Sequence, residues 1–154
     1  MGAEQDLELY REGIAAWSRG DRDWVLERAT DDFEFHAAQM FPGIRPVYEG
    51  REGLKDFWRE FIEEPWSELE LEVERAELLP DGRVIAQLRF CGTGRGSGAE
   101  VTVRYVHVAE FREGELARVD GFREWHEALA AAGEEPSGST TSRSRCLPPR
   151  WDGP

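Results

Sequence analysis

Cysteine and long apolar runs are scarce in this sequence of 154 residues, and each shortage excludes a class of protein. Cys91 and Cys146 lie far apart, in unlike segments without metal-ligand spacing, so we expect free thiols in a reducing compartment. No apolar stretch approaches the roughly 18 residues of a membrane span, and the acidic N-terminal segment MGAEQDLELY is unlike a signal peptide. These features predict a soluble, cytoplasmic protein.

Positive charge is also in short supply, because 32 acidic residues oppose 19 basic ones and leave a net charge of −13. Such a surface repels phosphate backbones and anionic lipid headgroups, and the sequence contains no local basic patch. Nucleic acid and membrane are therefore not expected as partners. His36, His107 and His126 are too dispersed in the sequence for a metal site, so no metal and no cofactor is predicted.

Large apolar side chains are abundant, with six Trp and eight Phe in a chain that is 40% hydrophobic. This content and the chain length predict one domain with a substantial core, which we assign to residues 1–133. Residues 134–154 are dominated by Ser, Thr, Pro, Gly and Arg, and this composition predicts a disordered tail. Docking of Trp151 on the domain or on a partner is the alternative.

The N-terminal half has the periodicity of helices. Leu7, Tyr10, Ile14 and Trp17 form one apolar stripe at spacings of three and four, which predicts a helix over 4–18. The predicted elements that follow are a short helix from Asp21 that stops before Thr30, a strand at 31–38, a loop at 39–50 and a third helix at 51–63.

The remainder of the domain alternates with a period of two, which is typical of strands. Turn residues separate four such segments, so a run of antiparallel strands is expected. Strands that follow helices through short connections favour an α+β fold with a sheet wrapped over the helices. The predicted strands are 68–78, 83–92, 100–111 and 116–125.

Four short motifs resemble the SnoaL-like branch of the NTF2-like superfamily. They are D-x-x-F after the second helix, Y-x-G-R-E-G-L at the third, F-R-x-G-x-L in the last turn and E-A-L-x-A-A-G in a short closing helix. They stand at residues 32–35, 48–54, 111–116 and 127–133, and the likeness covers residues 4–133.

The resemblance implies an NTF2-like cone. In this α+β fold a curved mixed or antiparallel sheet wraps over three N-terminal helices and encloses a deep pocket, and a short C-terminal helix closes it. It also implies a homodimer formed through the outer faces of the sheets. The superfamily includes polyketide cyclases, ketosteroid isomerases, epoxide hydrolases and dehydratases as well as non-catalytic binding domains, so the fold alone does not assign an activity.

His107 is the first candidate catalytic residue. If Phe111 points inward, as the turn-preceding Phe of the family does, alternation puts Val103, Tyr105, His107 and Ala109 on the same face. In the ketosteroid isomerases that this chain resembles, the position four residues before this Phe holds a protonated carboxylic acid that stabilises the enolate oxygen. A histidine there would donate the same hydrogen bond or act as a general base. A core histidine satisfied by a neighbour is the structural alternative.

Asp120 is the second catalytic candidate, and its role depends on which face of the strand at 116–125 points inward. If Asp120 points inward, a histidine–carboxylate pair with His107 is formed. If Val119 and Gly121 point inward instead, Asp120 is solvated, the acid position of the resembling polyketide cyclases is empty, and Gly121 enlarges the cavity. The sequence leaves both registers open.

The rest of the predicted pocket wall is largely apolar, and its aromatic residues are equally compatible with ordinary core packing. The general base of ketosteroid isomerases aligns with His36 or Ala37, and Ala37 would leave no base. The predicted lining residues are Tyr10, Trp17, Phe33, Phe35, Trp58, Phe61, Val103, Tyr105, Ala109, Phe111, Val119 and Gly121.

Three functions are compatible with the sequence. The first is a cofactor-independent isomerase, cyclase, hydrolase or dehydratase that acts on a small apolar, oxygenated molecule. The second is a non-catalytic domain that binds such a molecule. The third is a dimerisation or protein-interaction module that uses the outward residues Thr102, Arg104, Val106 and Val108. A carboxylate or second histidine within hydrogen-bond reach of His107 would distinguish the first function from the second.

Overall fold

The computed structural model describes residues 2–37 and 45–133, and Cys146 and the tail predicted at 134–154 lie outside them. None of the described helices is long and apolar enough to cross a membrane. The helices are α1 (Ala3–Ser18), α2 (Arg22–Glu27), α3 (Gly50–Phe57) and α4 (Trp125–Ala131), with a π-helical segment (Trp58–Glu63) that continues α3. The strands are β1 (Ala29–His36), β2 (Val47–Glu49), β3 (Trp66–Leu78), β4 (Val84–Gly94), β5 (Glu100–Arg112) and β6 (Glu115–Phe122).

The six strands form one curved, unclosed sheet in the order β2-β1-β6-β5-β4-β3. β3 to β6 are antiparallel neighbours in chain order, whereas β1 returns to pair in parallel with β6. The predicted α+β class with a mixed sheet over N-terminal helices is confirmed. The parallel β1–β6 pair brings the start of β1, next to α2, beside the β5–β6 turn.

The β5–β6 turn determines which residues face inward. Glu113 and Gly114 have positive φ values of 52° and 81°, as a two-residue type I′ hairpin turn requires. Next to the turn, Phe111 of β5 pairs with Leu116 of β6. The preceding residue of β5, Glu110, pairs with Arg118 and not with Ala117. Ala117 is therefore a β-bulge, and every later residue of β6 is displaced by one position relative to β5.

Two elements differ from the sequence-based prediction. β2 lies inside the segment 39–50, which was interpreted as loop, and pairs antiparallel with β1. The predicted helix at 51–63 changes to π-helical geometry at Trp58, where each hydrogen bond spans five residues instead of four. The other predicted elements occur, with bounds shifted by a few residues.

The sheet carries an apolar cluster on each face. On the inner face, α1 and α3 cover a large cluster that contains the rings of Phe33, Phe35 and Tyr48. On the outer face, α4 covers a smaller cluster that contains Val106 and Val108, which are only 1% and 2% exposed. These two valines are therefore unavailable for the protein-interaction surface considered above.

Beyond α4, the outer face of β3 to β5 is charged. Arg89 donates to Glu72 at 2.7 Å, and Arg104 donates to Glu74 at 2.9 Å. Among the described residues, Val101 is the only exposed large hydrophobic side chain. A homodimer through this face remains a prediction. Its interface would consist of side chains that already form ion pairs and not of an apolar surface.

Candidate functional site

A cavity of about 110 Å³ lies between the inner face of the sheet and the α1–α2 hairpin. This volume is smaller than the roughly 150 Å³ of an engineered apolar cavity that holds benzene, so the described walls accommodate about one six-membered ring. The lining residues are Leu9, Tyr10, Gly13, Ile14, Trp17, Trp24, Val25, Arg28, Phe33, Phe35, Leu54, Phe57, Trp58, Leu71, Tyr105, His107, Phe111, Leu116 and Val119.

The structure brings eight of the twelve predicted lining residues together on this wall. They are Tyr10, Trp17, Phe33, Phe35, Trp58, Tyr105, Phe111 and Val119. The other four lie elsewhere. Phe61 stacks on Phe57 with ring centroids 5.4 Å apart, and Val103 and Ala109 pack within the core. Gly121 pairs with His107 but is not part of this cavity wall, and it contributes to a second cleft on the outer face.

His107 connects the sheet to α1 at the cavity wall. Its Nδ1 is 3.0 Å from the Tyr10 hydroxyl oxygen, and its ring makes edge contacts with Phe35 and Tyr105 at centroid distances of 5.7 and 5.2 Å. Its Nε2 is buried and has no hydrogen-bond partner among the described residues. A buried polar atom left unpaired costs about 1–3 kcal/mol, so a partner for Nε2 would stabilise the protein.

Burial determines the protonation of the Tyr10–His107 pair. It lowers the pKa of His107 to about 3, because a charged imidazolium would lose its hydration in the apolar wall. Burial also raises the pKa of Tyr10 well above its ordinary value, and the nearby Tyr105 adds to that shift. At neutral pH the site therefore contains a neutral imidazole and a neutral phenol.

The direction of the Tyr10–His107 hydrogen bond follows from the two functional groups. A phenol O–H is a stronger donor than a neutral imidazole N–H, and an unprotonated imidazole nitrogen is a stronger acceptor than a phenol oxygen. The favoured arrangement has Tyr10 donating to Nδ1, which leaves the ring proton of His107 on Nε2. This N–H donor has no acceptor among the described residues.

Asp120 lies on the outer face of the sheet and is not a partner of His107. A hairpin without the bulge at Ala117 would pair Asp120 with His107, but the bulge moves Gly121 into that position. The Asp120 carboxylate instead accepts hydrogen bonds from Nε and Nη2 of Arg118 at 3.0–3.2 Å. Of the two registers that the sequence leaves open, the structure has the one in which Asp120 and His107 are not brought together.

A second cleft, of about 320 Å³, lies on the outer face beside α4 and is lined by His36, Arg83 and Arg118 among others. His36 Nε2 is 2.8 Å from a carboxylate oxygen of Glu34. His36 therefore faces away from the cavity of His107, and the apolar Ala37 is fully buried in the inner core. No three His, Cys, Asp or Glu side chains in the described part of the chain are arranged to hold a metal ion.

The sequence interpretation missed ten residues of the cavity wall, and three of them come from the α2 segment. Trp24, Val25 and Arg28 were interpreted only as parts of a short helix. The spacing of four between Trp24 and Arg28 is a usable signal, since residues four apart lie on the same face of a helix. The guanidinium of Arg28 indeed stacks over the Trp24 ring, 3.9 Å from its centroid.

A family model described as a SnoaL-like domain matches residues 10–119. The chain belongs to the SnoaL-like domain family. This match confirms the resemblance drawn from the motifs. The matched span, residues 10–119, contains every described residue of the cavity wall except Leu9. The sequence has no significant match among curated proteins.

Solved structures show the same NTF2-like fold. A Burkholderia pseudomallei NTF2-like protein of unknown function is 18% identical, with a TM-score of 0.66 over 82% of this chain and 95% of its own. An epoxide hydrolase/cyclase-like enzyme of pyran ring formation in the polyether salinomycin is 20% identical, with a TM-score of 0.66 over 79% and 92%. A Mycobacterium tuberculosis protein in complex with estradiol-17β-hemisuccinate is 17% identical, with a TM-score of 0.67 over 78% and 94%. At these identities the likeness establishes the fold of this SnoaL-like chain and no specific activity.

Proposed function

We propose that this SnoaL-like protein binds a small apolar molecule through one oxygen atom of that molecule and does not convert it. The observation that carries the proposal is the buried Nε2 of His107, which has no hydrogen-bond partner among the described residues and belongs to a wall that is largely apolar. A carbonyl oxygen seated there would accept the Nε2–H hydrogen bond and remove the unpaired donor. The apolar body of the molecule would pack on the surrounding aromatic rings.

Support for an apolar, oxygenated ligand comes also from the fold. A structural neighbour has been solved with estradiol-17β-hemisuccinate, which is such a molecule. The cavity of the present chain has room for about one ring, so the ligand we propose is smaller than a steroid. A monocyclic ketone is the simplest representative.

We favour binding over catalysis because none of the described residues on the cavity wall is a carboxylate or a second histidine that could accept a proton beside His107. Isomerisation or cyclisation by proton transfer needs an acceptor for the proton as well as a donor at the oxygen. No Asp or Glu of the described residues lines the cavity, and His107 is its only histidine. With its pKa lowered to about 3, His107 is suited to donate a hydrogen bond as a neutral ring and is a weak base.

The proposal predicts how affinity depends on a single ligand oxygen. Acetophenone and α-methylstyrene have nearly the same shape, but only the ketone accepts a hydrogen bond. In His107→Leu the ratio of their affinities should fall by about five- to tenfold, the value of one hydrogen bond of about 1–1.5 kcal/mol. Quenching of tryptophan fluorescence measures both affinities, since Trp17, Trp24 and Trp58 line the cavity.

The matched control is His126→Leu, because the His126 side chain is 60% exposed and does not line the cavity. It should leave the affinity ratio unchanged. An equal ratio in all three proteins, or no binding of either molecule, would contradict the proposal. Exchange of the acetophenone methyl protons in heavy water should proceed at the uncatalysed rate, and an acceleration that depends on His107 would establish enolisation instead.

A further inference from the structure

Among the described residues, the cavity wall has one charged side chain, and it is an arginine. A third of the sequence is charged and the net charge is −13, yet none of the described acidic residues lines this cavity. Arg28, which follows α2 and precedes β1, is the exception among the lining residues. A site that excludes carboxylates and retains one guanidinium has a positive potential, which favours an anionic ligand group.

Local contacts hold Arg28 in place and leave part of its guanidinium available. Nη1 donates to the Trp24 carbonyl oxygen at 2.9 Å, and the guanidinium stacks over the Trp24 ring. Its backbone carbonyl accepts from Leu116 N–H at 2.7 Å, so the residue is tied to the start of β6. Nε and Nη2 have no partner among the described residues. These two nitrogens form an edge that binds a carboxylate through two parallel hydrogen bonds.

Among the described residues, Glu27 has the one carboxylate within 4 Å of this guanidinium. Its Oε1 lies 3.8 Å from Nη1, and its side chain is 73% exposed. An exposed pair at this distance is worth little, because water and salt screen it. A ligand carboxylate on the Nε–Nη2 edge would not need to displace it.

Arg28 and His107 lie at opposite ends of the cavity. Ala29, the neighbour of Arg28, pairs with Leu116, whereas His107 pairs with Gly121. These two points on β6 are five residues apart, or roughly 16 Å at about 3.3 Å per residue, and the inward side chains shorten the gap. The Arg28 end is partly exposed, while the His107 end lies in the buried aromatic core.

We propose that the ligand is an oxo acid whose carbonyl oxygen lies at His107, whose ring fills the cavity and whose carboxylate binds Arg28. This inference rests on the proposed function and names the class of molecule that the site selects. The carboxylate stays at the exposed end, so only the ring and the carbonyl lose their hydration. Carboxylates are recognised by arginine with both charge and geometry, which neutral ketones cannot exploit.

The test uses a series built on acetophenone. 4-Acetylbenzoate, 4-acetylphenylacetate and 3-(4-acetylphenyl)propanoate add a carboxylate on spacers of increasing length. At low salt, the best acid should bind about five- to tenfold more tightly than acetophenone, as a charge-assisted hydrogen bond at a partly exposed site provides. In 0.5 M sodium chloride this gain should shrink, because the Debye length is then only about 4–5 Å.

Variants of Arg28 identify the group responsible. Arg28→Gln should abolish the preference for the acid, and Arg28→Lys should retain part of it, with thermal unfolding midpoints confirming that both are folded. Arg22→Gln is the matched control, since Arg22 lies at the other end of α2 and pairs with Glu63 but does not line the cavity.

Failure of this inference differs from failure of the proposed function. If acetophenone binds through His107 but no acid binds more tightly, the acid subsite is wrong and the ketone site stands. A preference for the acid that persists in Arg28→Gln also overturns the subsite. If the acids bind through Arg28 and acetophenone does not bind, the ketone site is wrong and the acid subsite stands.

Discussion

Between pH 7.5 and pH 5, the free energy of unfolding is expected to fall by about 2 kcal/mol through His107 alone. The folded state holds this imidazole neutral because burial lowers its pKa from 6.5 to about 3. The unfolded chain takes up a proton near pH 6.5 and the folded chain only near pH 3, so acid favours unfolding in this window. The stability that depends on the neutral ring is complete above about pH 6.5 and is lost progressively towards pH 3.

Urea denaturation at several pH values measures this loss. In His107→Leu the fall between pH 7.5 and pH 5 should be smaller than in the parent protein by about 2 kcal/mol. The substitution also leaves the Tyr10 hydroxyl without its partner, but that cost does not depend on pH in this range, so the slope is the reliable readout.

His126→Leu is the control for the loss of an imidazole, because this side chain is exposed and does not line the cavity. His107→Asn tests the same slope with a polar replacement. If parent and His107 variants lost stability in parallel as the pH fell, folding would not lower the pKa of His107, and the claim that burial keeps this ring neutral at pH 5 would be contradicted.

Phe57→Ala should cost about 3–5 kcal/mol of stability and enlarge the ligand cavity. The Phe57 ring packs edge-on against Phe35 and Tyr48, at centroid distances of 4.8 and 5.3 Å, and stacks on Phe61. It is 6% exposed and lines the cavity, so the space that it leaves joins the existing one. A two-ring ketone such as 2-acetylnaphthalene should then gain affinity relative to acetophenone, and at saturation it should raise the unfolding midpoint of the variant.

Phe122→Ala is the matched control for this prediction. Phe122 is also 6% exposed, but it lies in the cluster beneath α4, on the other face of the sheet. Phe122→Ala should lower the free energy of unfolding by an amount similar to that of Phe57→Ala, and it should leave the preference between the two ketones unchanged. The same preference in Phe57→Ala as in the parent protein would show that the ligand does not occupy the described cavity.

The sequence predicted the fold well because each element carries its own period. The apolar stripe of α1 and the alternation of β3 to β6 are local patterns, and short connections restrict how such elements pack. β2 was missed because three residues between prolines and glycines show no period. The π-helical segment was missed because the spacing of apolar residues does not distinguish π-helical from α-helical hydrogen bonding.

The candidate site was only partly predictable, and one bulge explains the largest error. His107 was expected on the inner face from its spacing to Phe111, and the structure has both residues on the cavity wall. The position of Asp120 depended on counting residues across the turn. Because Ala117 is bulged, Gly121 and not Asp120 pairs with His107. A bulge at an alanine leaves no signal in the sequence, and a shift of one residue sends every side chain to the other face.

Arg28 was missed for a different reason. It follows a short helix and looks like one of many surface charges, since its role depends on the parallel pairing that brings β1 beside β6. Long-range pairing of this kind cannot be derived from local periodicity. The contact between Arg28 and Trp24, by contrast, could have been predicted from the sequence, because residues four apart lie on the same face of a helix.

The central claim is that His107 is a neutral ring whose Nε2–H awaits a ligand oxygen. Long-range proton–nitrogen NMR spectra of the imidazoles, recorded from pH 7.5 to pH 5 with and without acetophenone, test it directly. We predict that His107 stays neutral with its proton on Nε2 throughout, and that the ketone shifts the Nε2 resonance more than that of Nδ1. Protonation of His107 above pH 5, a proton on Nδ1, or an Nε2 resonance unmoved by bound ketone would contradict the account.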